Sequence, residues 1–164
     1  MASSSLLKIG FVGLSSAGWA SQSIAPAIFQ KAFKDKIDLV AVSTRSQESA
    51  EASAAVYSEK VGHPVKAYSG STSTVANDPD VNFVAVAVEA KHHKDAVLPA
   101  IEAGKSFFIE WPAGASSEET AAIAEAARLH NVRSLVGLQT RASRAISKVC
   151  SFPLHTIQRL TFTE

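Results

Sequence analysis

Residues rich in Val, Ile and Phe concentrate in five short segments, 7–12, 37–42, 81–88, 106–109 and 132–138. Each is too short for a buried helix and too continuously apolar for a strand with one wet face, so each predicts a strand covered on both sides. Between them, residues 19–33, 47–60, 92–103 and 118–130 are rich in alanine, with apolar positions recurring three and four apart, the helical period. A weaker strand at 65–68 and a weak helix at 71–76 complete the series. Strand and helix therefore alternate along the chain. That order predicts an α/β fold: a doubly wound parallel sheet of six strands with right-handed crossovers and helices on both faces. Ser116 with Glu119 has the spacing of a capping box, Gly104 sits where a helix would end, and Asp78-Pro79-Asp80 punctuates the entry to a strand.

The first strand runs into Gly13-Leu14-Ser15-Ser16-Ala17-Gly18-Trp19. Gly13, Ser15 and Gly18 stand at the spacing of a dinucleotide fingerprint, which makes the sheet Rossmann-like. The first position needs a tight turn, the second lets the backbone approach a pyrophosphate, and the third lets helix pack on strand. Serine replaces the middle glycine, which keeps the side chain small and adds a hydroxyl. Ser16 and Trp19 belong to the same turn and join the candidate cofactor-binding residues. The second strand ends in Ser43-Thr44-Arg45-Ser46, where an NAD-specific protein would place a carboxylate for the ribose hydroxyls. No acid stands there. Thr44 and Arg45 suit a 2′-phosphate instead, so NADP is expected ahead of NAD.

Composition narrows the partners. The chain has 164 residues, a formal charge of +1, 46% hydrophobic and 19% charged residues. This is the balance of a globular domain without the basic excess of a nucleic-acid binder. The apolar runs fall well short of the ~20 residues of a spanning helix, and the opening has no charged leader followed by an apolar signal segment. Cys150 is the only cysteine, which excludes an intrachain disulfide. A cytoplasmic setting is therefore expected. His92 and His93 are adjacent and point about 100° apart on a helix, so no metal site is expected.

Taken in order, KIGFVGLSSAG, NDPDVNFVAVAV leading to His93, LPAIEAGKSFFIEWP and VGLQTR resemble the nucleotide-binding half of the glucose-fructose oxidoreductase / inositol dehydrogenase / MocA family. The resemblance covers roughly residues 7–148. FVGL with a small-residue turn and GWA, the Glu-Trp-Pro and the GLQTR segment are most similar to the branch of the fungal galactose-regulon repressor, a nucleotide-binding regulator rather than a dehydrogenase. The resemblance implies a dinucleotide-binding domain over 1–144 and the start of a substrate domain over 145–164, comprising a short helix and a strand at 156–162. Most of the usual substrate domain is absent from the sequence.

The resemblance also implies roles. Glu110 lines the nicotinamide side, and Pro112 is placed for a cis bond after Trp111. Trp111 itself stands where family dehydrogenases have a catalytic lysine, and an indole cannot relay that proton. Trp111 either stacks on a ring of cofactor or substrate or packs beneath a further domain. His93 falls beside the cofactor cleft, and Glu89 replaces a usual proline at the edge where ligands bind. Glu89, His93 and Glu110 are the candidate acids and bases, against plainer readings as a loop acid and a helix-start histidine. Gln139 and Arg141 point at the same cleft, with Arg141 suited to an anionic substrate or a partner carboxylate.

Three functions follow as expectations. One is an NADP-dependent oxidoreductase acting on a small organic or sugar-like substrate. Another is a non-catalytic regulator with the nucleotide as effector and a protein as client. The third is a cleft repurposed for non-redox isomerisation or cyclisation. The lone strand at 156–162 needs a neighbour, so a homodimer or partner complex is expected.

Overall fold

The computed structural model describes residues 6–138, 143, 144 and 148. Gln139, Arg141, Cys150 and the strand expected at 156–162 lie outside the described residues, as does most of the expected C-terminal helix.

The apolar segments pair as strands β1 (Leu7–Val12), β2 (Ile37–Thr44), β3 (Lys66–Ser69), β4 (Phe83–Val86), β5 (Ser106–Glu110) and β6 (Ser134–Gly137). All neighbours are parallel and the order is β3-β2-β1-β4-β5-β6. This is the doubly wound Rossmann-like order that the alternation predicts. β1 lies between β2 and β4, so the crossover direction reverses there and a crevice opens above its carboxyl end.

Two cores hold helices to the sheet. Phe11, Leu39, Val42, Ala54 and Tyr57 are buried on the face carrying α1 (Trp19–Ser23), α2 (Ala25–Ile28) and α3 (Gln47–Val61). Val84, Val86, Val97, Ile101, Phe107, Ile109 and Ile123 fill the other, under α4 (Ser73–Ala76), α5 (His93–Glu102) and α6 (Ser117–Leu129). Strands covered on both sides explain the continuous apolar runs.

Local chemistry sets most boundaries. Gly104 (φ +68°) ends α5 with Gly104 N–H donating to the Ile101 carbonyl and Lys105 N–H to that of Ala100, both at 2.9 Å. That is the paired closure of a Schellman motif. Ser116 Oγ accepts from Glu119 N–H at 3.2 Å, while the Glu119 carboxylate reaches back past the cap to Ala115 N–H at 2.9 Å.

Two expectations are corrected. The helix expected over 19–33 breaks into α1, α2 and a 3-10 turn at Lys31–Phe33. Pro26 lacks the N–H that would continue the α1 ladder, so the chain restarts there. Phe29 then stacks on Tyr57 of α3 with centroids 5.8 Å apart. The strand expected over 81–88 shortens to β4, because Val81 N–H is taken by the Asp78 carbonyl at 3.1 Å in the preceding turn.

That turn is anchored by an ion pair. Asp78, 4% exposed, accepts from Lys66 Nζ at 2.9 and 3.0 Å, from Tyr68 Oη at 2.9 Å and from Asp80 N–H at 2.9 Å. It ties β3 to the entry of β4 at the end of the sheet remote from the crevice. Burial pushes the Asp78 carboxyl up, but the Lys66, Asp80 and Tyr68 donors outweigh it and hold it below the usual range.

Candidate functional site

Gly13 turns the chain out of β1. Its φ is +89°, and a Cβ placed there would run into the Ala87 carbonyl oxygen. Its N–H donates to the Ser43 carbonyl at 2.8 Å, and Ala87 N–H donates to that of Val12 at 2.9 Å. The turn is therefore pinned between the ends of β2 and β4, in the crevice. Ser15 N–H folds back to the Gly13 carbonyl at 3.2 Å. Ser16 N–H donates at 3.0 Å to Ser53 Oγ of α3. Gly18 caps α1 with extended backbone (ψ 172°), and a Cβ on it would meet Ser15 Oγ at 2.5 Å.

A cleft of about 750 Å³ opens from this turn across the end of β2. Gly13 and Ser15 line one end, Thr44, Arg45, Ser46 and Ser71 the other. Thr44 Oγ1 donates to the Ser46 carbonyl at 3.0 Å, and Ser46 Oγ caps α3 by accepting from Ser49 N–H at 3.3 Å. Arg45 is exposed on the rim. Glu89 faces it across the cleft, ion-paired to Lys91 at 2.7 Å with its side chain 70% exposed. Lys91 chiefly, then His92 and Arg45, hold the Glu89 carboxyl below the usual range. The Lys91 pairing favours the ionised carboxylate.

A second cleft, of about 600 Å³, shares Gly13 and Glu89 and continues over the ends of β4, β5 and β6. Trp19, Glu110, Trp111 and Leu138 line it. Trp19 and Trp111 are 58% and 65% exposed, respectively, while Glu110 is 7% exposed. The Trp111–Pro112 peptide is cis. Glu110 sits against Gly137, where a Cβ would strike its carboxylate.

His93 does not join these groups at the surface. It is 1% exposed, with Nδ1 2.7 Å from the Pro112 carbonyl and Nε2 3.0 Å from that of Val88. Both neighbours are carbonyl oxygens, which accept from whichever ring nitrogen carries a proton. It staples the loop after β4 to the loop after β5, a structural placement in contrast to the candidate acid–base role. The structure thus gathers Gly13, Ser15, Thr44 and Arg45 in one cleft, and Trp19, Glu110 and Trp111 in the adjoining one. Pro112 follows Trp111 without lining either cleft, and its carbonyl meets the His93 ring. Among the described residues no group of three or more His, Cys, Asp or Glu is placed to hold a metal.

With the crevice at the switch point and the glycine turn in place, the relatives can be named. The profile of an oxidoreductase family with an NAD-binding Rossmann fold matches residues 7–138. The chain belongs to the Gfo/Idh/MocA family. Within this family it is 37% identical over 116 residues to the dehydrogenase aclE of Aspergillus oryzae, covering 71% of this chain and 31% of that protein. It is 26% identical over 144 residues to the galactose/lactose metabolism regulatory protein GAL80 of Saccharomyces cerevisiae, covering 84% and 32%. A crystal structure of a super-repressor mutant of Gal80p superposes with a TM-score of 0.73 at 23% identity, covering 87% of this chain and 37% of that one. The chain spans about a third of the length of those two relatives.

The residues present fit the family's dinucleotide. The Gly13 turn, where a Cβ would meet the Ala87 carbonyl, holds bare backbone at the crevice, and the cleft beside it carries hydroxyls and Arg45 together with Glu89 and Asp95. Sequence reasoning missed Ser53, which holds the turn. Its signal was a serine on the otherwise apolar inner face of α3, among Ala50, Ala54 and Tyr57.

Proposed function

We propose that this chain is the nucleotide-binding part of an NADP-dependent oxidoreductase acting on a small organic substrate. The observation that carries the reading is the cleft joining the Gly13 turn to Thr44, Arg45 and Ser46, with no carboxylate at the end of β2. An acid there would accept from ribose hydroxyls and repel a 2′-phosphate; a guanidinium flanked by hydroxyls does the reverse. The Gly13 turn would receive the pyrophosphate, Arg45 the 2′-phosphate, and the cleft beside Glu110 and Trp111 the nicotinamide end. The nicotinamide, when bound, exchanges a hydride with a carbon of the substrate.

Taking a hydride from an alcohol carbon also requires a base for the hydroxyl proton. The Trp111 indole only donates, so it cannot act as that base. Glu110 is the carboxylate of this chain at the nicotinamide end, and Glu89 is the more exposed acid at the mouth. Titrating the protein with NADPH and NADH tests the reading through tryptophan fluorescence, since Trp19 borders the cleft. NADPH should bind at least tenfold more tightly, and Arg45→Asp should reverse the preference. No binding of either at millimolar concentration overturns it.

A second reading, a nucleotide-binding regulator with a protein client, is favoured by Trp111 in the lysine position and by similarity to a regulatory protein. Binding of NADPH with no turnover across a panel of alcohols, sugars and ketones would select it. Nucleotide-independent turnover would instead select isomerisation or cyclisation in the second cleft.

A further inference from the structure

We infer that Ser53 is a positioning residue that sets the pyrophosphate turn relative to the 2′-phosphate end of the cleft; this rests on the dinucleotide reading above. Ser53 is in the second turn of α3, 0% exposed, and lines neither cleft. Its hydroxyl donates to the Ser49 carbonyl at 2.7 Å and accepts from Ser16 N–H at 3.0 Å. The geometry orients the hydroxyl. With its hydrogen committed to the preceding turn of the helix, its lone pairs face the glycine turn and receive that turn's amide.

The same helix carries the other end of the site. Ser49 N–H donates to Ser46 Oγ, and the Ser46 carbonyl accepts from Thr44 Oγ1. A continuous line of bonds thus runs from the end of β2, through the first turns of α3, to the Gly13 turn. A dinucleotide must span both ends at once, so its affinity depends on their separation. A ligand that occupies only the Arg45 end does not sense where the turn lies. The Thr44–Ser46–Ser49 bonds that shape the Arg45 end do not use the acceptor lone pairs of Ser53. Removing that acceptor releases the Ser16 stretch of the turn, while the bonds at Gly13 and the Arg45 end stay intact.

The test compares two probes, NADP⁺ and adenosine 2′-phosphate, on the full chain by calorimetry. Ser53→Ala leaves the Ser16 amide without its partner. It should weaken NADP⁺ about tenfold, the scale of one lost hydrogen bond, and change adenosine 2′-phosphate less than about twofold. Ser53→Cys keeps a weak acceptor on a somewhat larger atom and should fall between wild type and Ser53→Ala. If Ser53→Ala does not fold, as read by its melting curve, the selective loss must appear in Ser53→Cys. Unchanged NADP⁺ affinity in a folded variant overturns the inference, and so does equal weakening of both probes, which marks a loosened core rather than a displaced turn. Wild-type protein that binds neither probe, or only adenosine 2′-phosphate, overturns the dinucleotide reading itself and this inference with it.

Discussion

At the scale of single residues, conformational permission decides the candidate site. Gly13 combines φ +89° with a Cβ direction aimed at the Ala87 carbonyl. Gly13→Ala should cost roughly 3 kcal/mol, from left-handed strain plus displacement of the loop after β4. Denaturant titration measures this, and a cost below about 1 kcal/mol would mean the turn has another way to relax. A surface pair gives a pH-dependent counterpart. His63 Nε2 lies 2.7 Å from Asp38 Oδ1, tying the end of α3 to the start of β2, and chiefly this bond raises the imidazole above its ordinary 6.5. A raised folded value means stabilisation present in full below pH 6.5 and lost as pH rises through the folded value. Both side chains are partly in water, so the effect is small. Wild type minus His63→Asn, measured by melting at pH 5.5 and pH 8.5, should show an advantage confined to the lower pH. An equal difference at both values would assign the bond to neutral imidazole.

At the scale of elements, the strands were legible because burial on both faces writes itself as apolar runs. The caps at Gly104 and Ser116 were legible because their chemistry is local. The long helix over 19–33 was misread because its alanine-rich pattern outweighed Pro26, a single missing donor. The Asp78 anchor was illegible for a different reason. Its partner Lys66 stands at the start of β3 while Asp78 lies in the loop before β4, and the fold rather than any spacing brings them together. Similarly, nothing in the spacing told that His93 turns inward to two carbonyls while Arg45 stays on the rim. The anchor carries an element-scale prediction. Asp78→Ala leaves Tyr68 Oη and Asp80 N–H without their acceptor in a buried turn and frees the start of β3. It should cost about 2–3 kcal/mol, the scale of unsatisfied buried groups. Since Asp78 is held below the usual carboxylate value of 3.8, its contribution is present above that value. It is lost as acid protonates the folded form, so the gap between wild type and variant should narrow below pH 4. A gap constant from pH 7 to pH 3 would contradict the ion-pair assignment.

At the scale of the whole molecule, the two cores lie on opposite faces of one sheet, and the crevice opens where the winding reverses at β1. Its walls come from segments belonging to both: the turn before α1 and the start of α3 on one side, the loops after β4 and β5 on the other. A ligand in the crevice therefore contacts both halves in the folded chain, and unfolding separates the groups that hold it. Binding to the folded form alone at a hundred times the dissociation constant stabilises by about 2.7 kcal/mol. For a chain of this length that corresponds to a melting shift of roughly 5–11 °C. NADP⁺ at that excess should produce such a shift in a single cooperative transition. NADP⁺ at the same concentration should have little effect on Arg45→Asp, whose melting temperature without ligand should match wild type because Arg45 is exposed on the rim. Two separate transitions, with only one moved by NADP⁺, would show that the ligand engages one wall alone. That result would detach the Glu110 and Trp111 side from the nucleotide and leave the second cleft to a different occupant.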